Sequence, residues 1–358
     1  MAQINEEEIR SIISAVPDPE LGRPLGELHM VERVSVEGDG AFLARIVLPT
    51  PAYPQPERIR EAIERALRES AGESASVTVE FSAKVRGKES GGKIGLRVKN
   101  VVAIGSGKGG VGKSTIAASL AFGLKHFGAR VGLMDADVYG PSIPHLVGVQ
   151  GSPAIAEHRT EDGRTIQRIQ PIEHDGMKLL SIGFLVREDQ PVIWRGPMLH
   201  GLLTQFLQDA DWGELDYLIV DLPPGTGDVA ITLSQLVGLA GAVVVCTPQK
   251  VALLDAVKAV AMFRQVNIPV LGIVENMSGD VFGRGGARAK AEELGVPFLG
   301  EVPILPEIRV KGDEGQIASL LSENSPAREP LIHVCQRTAI QIAKELLASA
   351  KLPELEVL

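Results

Sequence analysis

The stretch Gly105–Thr115 reads GSGKGGVGKST and separates two apolar runs of different character. Val101–Ile104, before it, is β-branched and small, and Ile116–Phe127, after it, has the composition of a helix. A strand, a glycine-rich loop and a helix form the context in which G-x-x-x-x-G-K-[ST] binds phosphate. That pattern is met by Gly107, Gly112, Lys113 and Ser114. The sequence therefore predicts a phosphate loop, and a glycine-rich turn without a ligand is the weaker alternative.

The residue types in this loop suit a nucleoside triphosphate. Glycines let backbone N–H groups point at phosphate oxygens, and the following helix adds a positive N-terminal dipole. Lys113 is predicted to contact the β- and γ-phosphates, and the Ser114 hydroxyl to bind Mg²⁺. The predicted nucleotide contacts of the loop are Gly107, Lys108, Gly109, Gly110, Val111, Gly112, Lys113, Ser114 and Thr115.

Composition limits the remaining possibilities. The chain has 358 residues, which favours two domains. A net charge of −9 and 4% aromatic residues argue against nucleic-acid binding. The N-terminus is acidic and polar, unlike a signal peptide, and no apolar run is long enough to cross a membrane. Two cysteines give no disulfide framework, so we expect a cytoplasmic protein.

The first part of the chain predicts a small α+β domain over residues 1–83. Asn5 and Glu8 have capping-box spacing at the start of a helix, and a second helix is predicted over Glu57–Glu69. Alternating residues before and after Gly38-Asp39-Gly40 predict a hairpin, and Val77–Phe81 a third strand. A basic linker is predicted over residues 84–98, either as a solvated hinge or as a docking strip.

Residues 99–358 predict a second domain of the α/β class with a parallel sheet. Continuous apolar runs alternate with helical patterns, as in strands covered on both faces. The predicted strands include Val131–Met134, Tyr217–Val220, Ala242–Cys246 and Val270–Val274. Ligands bind at the carboxyl ends of such strands.

Unusual polar residues follow these strands. Asp137, in DADVYGPS, is predicted to position the attacking water or support the Mg²⁺ shell, with an Asx-turn as the alternative. Asp221, in DLPPGTGD, is predicted to bind Mg²⁺ through water. The rest of that loop is predicted to be a switch that senses the γ-phosphate.

Lys108 is a second lysine inside the loop, and KGGVGKST resembles the deviant Walker A motif of dimeric ATPases of the ParA, MinD and Mrp class. That resemblance implies a homodimer in which Lys108 reaches the partner's nucleotide. DADVYGPS, WRGPM at Trp194–Met198, DLPPGTGD, TPQ at Thr247–Gln249 and ENMS at Glu275–Ser278 extend the resemblance to the Mrp (ApbC-like) ATPases. It implies ATP hydrolysis by Lys108, Lys113 and Asp137, and carriage of [4Fe–4S] clusters to apoproteins or from an assembly scaffold. It also implies an adenine contact from Asn276, for which a structural asparagine at a turn is the alternative.

The chain departs from the family where cluster ligands are expected. The family usually has C-x-x-C shortly after ENMS, but here the sequence continues as Gly279-Asp280-Val281-Phe282. The N-terminal domain resembles the SufT-like assembly domain, in which a cysteine usually follows the T-P-A triplet, but Tyr53 stands there. Cys246 and Cys335 lie in apolar patterns, so both are predicted to be core residues and no iron–sulfur ligand is identified.

Three functions remain open at this point. The first is an ATPase of iron–sulfur cluster assembly, and the second is an ATP-dependent scaffold or regulator without a cluster. The third is a MinD-like positioning ATPase, which would need a basic amphipathic C-terminal helix. The ending KLPELEVL at Lys351–Leu358 has a proline and two glutamates. We therefore rank the MinD-like function last.

Overall fold

The computed structural model describes residues 5–38, 41–71, 76–87, 94, 96–159, 165–185, 196–225 and 227–349. Five predicted features lie wholly or partly outside them: the turn at Asp39-Gly40, part of the linker, Trp194-Arg195, Thr226 of the DLPPGTGD loop and the C-terminal residues 351–358. The chain divides into two compact units, Met1–Arg86 and Gly87–Leu358. Within the described ranges, no helix is long and apolar enough to cross a membrane.

The first unit is a three-stranded sheet with two helices. Its elements are α1 (Glu6–Ala15), β1 (Val31–Gly38), β2 (Ala41–Leu48), α2 (Glu57–Ala71) and β3 (Ser76–Ala83). The predicted hairpin is confirmed as the antiparallel β1–β2 pair, and α2 is the crossover that makes β3 parallel to β2. The predicted capping box is also confirmed, because Glu8 N donates to Asn5 Oδ1 at 2.9 Å and Asn5 N donates to Glu8 Oε2 at 3.0 Å. The helices α1 and α2 contact each other, and Ile9 and Ile13 of α1 and Ile59 and Ile63 of α2 are fully buried.

The second unit has one large sheet with helices along the chain between its strands. Its first half contains β4 (Val98–Gly105), α3 (Lys113–His126), β5 (Val131–Asp135), α4 (Ile143–Val147), β6 (Ala154–Arg159), β7 (Thr165–Gln170), β8 (Ile172–His174), β9 (Met177–Ser181), a 3₁₀ turn (Ile182–Phe184) and α5 (Gly196–Gln208). Its second half contains β10 (Leu215–Asp221), α6 (Gly227–Leu236), β11 (Leu239–Cys246), α7 (Lys250–Gln265), β12 (Val270–Ser278), α8 (Gly286–Leu294), β13 (Phe298–Pro303), α9 (Pro306–Asp313), a 3₁₀ turn (Ile317–Leu321) and α10 (Arg328–Ser349).

The eight strands of the large sheet are ordered β13-β12-β11-β4-β10-β5-β9-β8. The neighbouring pairs are parallel, as predicted, except that β8 runs antiparallel to β9 at the edge. Asp175 and Gly176, with φ of +48° and +66°, form the tight turn that allows this reversal. The pair β6–β7 forms a separate antiparallel ribbon that the sequence pattern did not reveal.

The polar side chains predicted to act in the site lie where the parallel strands end, at their carboxyl ends. Parallel register aligns Asp221 of β10 with Ile104 of β4 on one side and with Asp135 of β5 on the other. The residues that leave these strands therefore emerge side by side. The strands are buried throughout their central residues, so this edge is supported by a rigid core.

Candidate nucleotide site

The glycine-rich loop connects β4 to α3, as the sequence predicts. A side chain at Gly107 would collide with the backbone of Asp255 on α7, and one at Gly112 would collide with the Asn276 amide. Gly112 also has a φ of +79°, a conformation that residues with side chains rarely adopt. The loop is therefore held close to α7 and β12 by positions where only glycine fits.

The amino end of α3 is open to a ligand. Its N-cap is Gly112, which provides no side-chain hydrogen bond to the first turn. The first turn of a helix has backbone N–H groups without intrahelical partners, and these groups attract anions together with the helix dipole. The geometry of a phosphate site is thus present at the start of α3.

Lys113 joins the loop to two strand ends. Its ammonium lies 2.7 Å from Asp221 Oδ1 and 3.3 Å from Asp137 Oδ2, and it is also 3.2 Å from the Ser114 hydroxyl. The Lys113 side chain is only 6% exposed. Three residues predicted separately, from a loop and from two strands, are thereby brought together in one buried cluster.

Negative charge exceeds positive charge in this cluster. Asp135, Asp137 and Asp221 are all buried, and Lys113 contacts Asp137 and Asp221. Burial and the neighbouring Asp221 carboxylate raise the pKa of Asp135 to about 7, and burial raises the pKa of Asp221 against the lowering effect of Lys113. Asp221 Oδ2 has no hydrogen-bond partner among the described residues. A buried carboxylate oxygen without a partner and an excess of carboxylates fit a hydrated divalent cation.

Asp137 forms the Asx-turn that was the alternative to a role at the phosphates. Its Oδ1 accepts hydrogen bonds from Tyr139 N at 3.2 Å and Gly140 N at 3.3 Å. Its other oxygen faces Lys113. The turn therefore orients the Asp137 carboxylate so that its second oxygen points toward the phosphate loop.

Lys108 differs from Lys113. Its backbone carbonyl accepts a hydrogen bond from the Ser106 hydroxyl at 2.9 Å, but its ammonium forms no ion pair with any described residue. Gly109 and Gly110 beside it are exposed. The side of the loop that carries Lys108 thus faces away from the buried cluster.

A cavity of about 390 Å³ adjoins the first turn of α3 at Thr115. Apolar side chains line much of it, from Leu146, Met277, Pro303, Ile304, Leu305 and Ile308. Arg309 and Asp313 contribute polar groups. A flat, largely apolar base fits such a cavity next to a phosphate loop.

Asn276 lies between this cavity and the loop. Its Nδ2 donates to the Val111 carbonyl at 2.9 Å, which fixes the orientation of the amide and leaves Oδ1 as the acceptor available to a ligand. The next residue, Met277, has a φ of +58°, and the β12–β13 register shifts between Asn276 and Ser278. This irregularity directs the side chains of Asn276 and Met277 toward the cavity.

The motifs did not reveal the far wall of the cavity. Pro303 ends β13, a strand that we did not predict, and Ile304 and Leu305 follow it, while Leu146 lies on the short helix α4. The continued alternation of apolar strand and helix patterns after Gly295 is the signal that could have indicated another strand end at this edge.

Comparison with known proteins agrees with this geometry. Residues 97–339 match the family described as NUBPL iron-transfer P-loop NTPase, and residues 6–80 match an iron-sulfur cluster assembly protein family. The chain belongs to the NUBPL iron-transfer P-loop NTPase family. This confirms the predicted relationship and the parallel-sheet nucleotide-binding fold.

Individual relatives extend over nearly the full chain. An iron-sulfur cluster carrier protein of Deinococcus radiodurans is 46% identical over 98% of this chain and 99% of its own length. Another, from Synechocystis, is 42% identical over 95% of this chain and 98% of its own. A nucleotide-binding protein of Archaeoglobus fulgidus, solved with ADP and with cobalt, is similar in structure, with a TM-score of 0.53, 36% identity and coverage of 65% of this chain and 91% of its own.

The NUBPL-family chain has a closed hairpin where thiolates are expected after ENMS. Gly279 N donates to Gly283 O at 2.8 Å and Gly283 N donates to Gly279 O at 2.7 Å, while Val281 at the tip is 74% exposed. Behind it, both oxygens of Glu275 accept hydrogen bonds from the start of α8, from Gly285 N and Ala287 N at 2.7 Å each. This hairpin offers no soft ligand for iron.

The second expected thiolate position is also occupied differently. Tyr53 is buried in the N-terminal unit, and its hydroxyl donates to Asp18 Oδ2 at 2.8 Å. Asp18 Oδ1 accepts from Glu20 N at 2.9 Å and Leu21 N at 2.7 Å. Burial and the adjacent Asp18 carboxylate raise the pKa of Tyr53, so its hydroxyl stays protonated.

The cysteines that the chain does have are core residues, as predicted. Cys246 in β11 is 2% exposed and Cys335 in α10 is fully buried against Gly123. Burial raises the pKa of Cys246 to about 12, with a further contribution from Glu275, and burial also raises the pKa of Cys335. Within the described residues, neither cysteine belongs to a group of three or more His, Cys, Asp or Glu side chains that could hold a metal ion. The residues present therefore do not fit a cluster ligated by this chain.

Proposed function

We propose that this chain binds ATP with Mg²⁺ and hydrolyses it to ADP and phosphate, and that hydrolysis serves the transfer of iron–sulfur clusters to apoproteins. The position of Lys113 supports this proposal most strongly, because a phosphate-loop lysine contacts both Asp137 and Asp221 at the carboxyl edge of the sheet. Family membership supports the link to iron–sulfur clusters.

Each residue of the site then has a role. Lys113 would leave its carboxylate partners to neutralise the β- and γ-phosphates, while backbone N–H groups of the loop from Gly107 to Thr115 would bind phosphate oxygens. The Ser114 hydroxyl would hold Mg²⁺ directly and Asp221 would hold it through water. Asn276 would accept a hydrogen bond from the adenine amino group through Oδ1, and the apolar cavity beside it would hold the ring.

Hydrolysis requires little covalent chemistry from the protein. Bound Mg²⁺ supplies charge neutralisation at the phosphates. Asp137 would orient the attacking water, since its Oδ2 faces the loop while its Oδ1 is held by the Asx-turn. Preorganised charge and position account for most of the rate of such reactions.

We propose that the active form is a homodimer in which Lys108 reaches the nucleotide of the partner subunit. The Lys108 ammonium has no ion-pair partner within the described part of the chain, although it is only two residues from the buried Ser106. A cation at the exposed side of a phosphate loop is available to a second copy.

The Lys108→Ala variant tests the dimer. It is expected to bind ATP but to lose phosphate release and ATP-induced dimerisation, measured by a coupled assay and by sedimentation. Mixed with Asp137→Ala, it forms one composite site that has both groups, so activity should partly return. Activity in the mixture no higher than that of either variant alone would contradict the cross-subunit role.

The cluster is the cargo of the proposed function and not a cofactor of this chain. A second candidate is an ATP-dependent scaffold or regulator without a cluster, which is favoured by the burial of both cysteines. Anaerobic transfer assays with a loaded donor and an apoprotein acceptor distinguish the two. ATP-dependent acceleration of transfer supports the carrier, while ATP turnover with no change in transfer supports the scaffold.

Two further expectations remain proposals. Two unpaired, buried cysteines suit a reducing compartment, and we propose the cytoplasm. We retain the division into residues 1–83, 84–98 and 99–358, which the compact units Met1–Arg86 and Gly87–Leu358 support.

A further inference from the structure

Ser181 is a fully buried polar residue at the end of β9, outside the nucleotide site described above. Its Oγ donates to Asp135 Oδ2 at 2.9 Å and accepts from Gly183 N at 2.9 Å. In the sheet, β9 is separated from β4 by β5 and β10, so Ser181 does not belong to the phosphate loop. Its hydroxyl is used entirely within a connection between β9 and the end of β5.

Asp135 links Ser181 to the segment that carries Asp137. Asp135 Oδ1 accepts from Asp137 N at 3.1 Å, and Oδ2 accepts from Ile143 N at 3.2 Å as well as from Ser181. The carboxylate therefore holds both ends of the segment between Ala136 and Ser142. Both of its oxygens are occupied, in contrast to Asp221, where Oδ2 lacks a described partner.

Packing reinforces the same connection. Gly183, in the 3₁₀ turn after Ser181, lies so close to the segment that a side chain there would be 3.2 Å from Pro141 Cβ and from Pro144 Cγ. Gly183 N is also the donor to Ser181 Oγ. The 3₁₀ turn and the Asp137 segment are thus attached by hydrogen bonds and by close contact.

We propose that Ser181 is a positioning residue for ATP hydrolysis, which acts through Asp135 to fix the segment that aims Asp137 at the nucleotide. This inference rests on the proposed function, because it assigns Ser181 to the hydrolytic step of the same site. A carboxylate that orients water must be held closely, since a displacement of about 1 Å can reduce a rate by roughly a hundredfold. Nucleotide affinity depends on the phosphate loop and the base cavity, which Ser181 does not contact.

The Ser181→Ala variant tests the proposal, with Ser119→Ala as its matched control. Ser119 is a buried serine on α3 whose hydroxyl has no hydrogen-bond partner among the described residues. The two substitutions remove the same atom from two buried positions, but only one atom belongs to the connection with Asp135. The measurements are kcat and KM for ATP, and the Kd of ADP by calorimetry.

Ser181→Ala is expected to lower kcat by roughly tenfold or more, with KM for ATP and Kd for ADP within about twofold of wild type. Ser119→Ala should leave all of these values unchanged. Loss of stability alone would reduce the number of ADP sites per chain and not kcat per site, so rates are expressed per ADP site.

Gly183→Ala provides a second test that keeps the hydroxyl. Its new methyl group would press on Pro141 and Pro144, and it is expected to lower kcat in the same way. If Ser181→Ala does not fold, the result for Gly183→Ala decides, and an unchanged kcat in that variant overturns the inference.

Two outcomes separate this inference from the proposed function. If the wild type hydrolyses ATP and Ser181→Ala has the same kcat, or only a raised KM, then the positioning role is wrong and hydrolysis stands. If the wild type binds ATP and does not release phosphate, the hydrolytic step of the proposed function is wrong, and the role of Ser181 is overturned with it.

Discussion

The phosphate-loop cluster and the two positions expected to hold thiolates differ in what they leave unsatisfied. At the loop, Asp221 Oδ2 has no partner within the described residues, and the first turn of α3 has no side-chain cap. At Tyr53, by contrast, the hydroxyl and both oxygens of Asp18 are used in hydrogen bonds. The hairpin after Ser278 closes on itself through paired backbone bonds, while Ser278 Oγ, at the end of β12, has no partner within the described residues.

This difference indicates where a ligand would satisfy a buried polar group. Buried polar groups are normally satisfied, and an exception at the edge of a parallel sheet indicates a position for a ligand. In the N-terminal unit, the Tyr53 hydroxyl and the Asp18 carboxylate are hydrogen-bonded within the unit, so no cluster is needed to satisfy them. At the phosphate loop, by contrast, Asp221 Oδ2 has no partner within the described residues.

The largest expected effect is at the phosphate-loop cluster. Lys113→Ala is expected to weaken ATP binding by roughly a thousandfold or more, since it removes the buried cation that would neutralise the phosphates. It also leaves Asp221 without its 2.7 Å partner, and breaking such a buried pair costs about 3–5 kcal/mol of stability. Calorimetric titration with ATP measures the binding, and thermal unfolding measures the folded fraction.

Lys99→Ala is the matched control for Lys113→Ala. Lys99 lies on β4, and its ammonium is 2.7 Å from Asp216 Oδ1, so its removal also breaks an ion pair. Because that pair is at the opposite end of the strand from the loop, ATP affinity should not change. Near-normal ATP affinity in Lys113→Ala would contradict the assignment of the phosphate site.

The next-largest effect concerns the positions where thiolate ligands are expected. Protein reconstituted anaerobically with iron and sulfide is expected to hold no stable [4Fe–4S] cluster, because clusters require thiolates and both thiols are buried with raised pKa values. Iron, sulfide and visible absorbance are measured on wild type and on the Cys246→Ser/Cys335→Ser double variant. About four irons per dimer in wild type, lost in the double variant, would overturn this expectation.

The sequence placed the glycine-rich loop and the two aspartates at the same end of the sheet because its information is local. Lys113 and Ser114 belong to one contiguous motif, and Asp137 and Asp221 each follow an apolar strand whose carboxyl end has a known functional position. The helix cap at Asn5 and the hairpin β1–β2 were predictable for the same reason.

The remainder depended on contacts between distant segments. Ser181 and Asp135 are 46 residues apart in the chain, and Asn276 reaches Val111 across 165 residues. No periodicity in one segment specifies such a partner. The edge strand β8 was missed because it has only three residues, too few for a pattern to predict it.

The smallest expected effect tests whether Tyr53 has become part of the structure. Tyr53→Phe removes the hydroxyl that donates to Asp18 Oδ2 at 2.8 Å, and a lost hydrogen bond to a buried carboxylate reduces the free energy of unfolding by about 1–3 kcal/mol. Tyr139→Phe is the matched control, because Tyr139 is 66% exposed and the same change there should have little effect. Urea unfolding followed by far-ultraviolet circular dichroism compares both variants with wild type. If Tyr53→Phe unfolds at the same urea concentration as wild type, then the Tyr53 hydroxyl does not stabilise the N-terminal unit. A role for this hydroxyl would then have to be sought in binding.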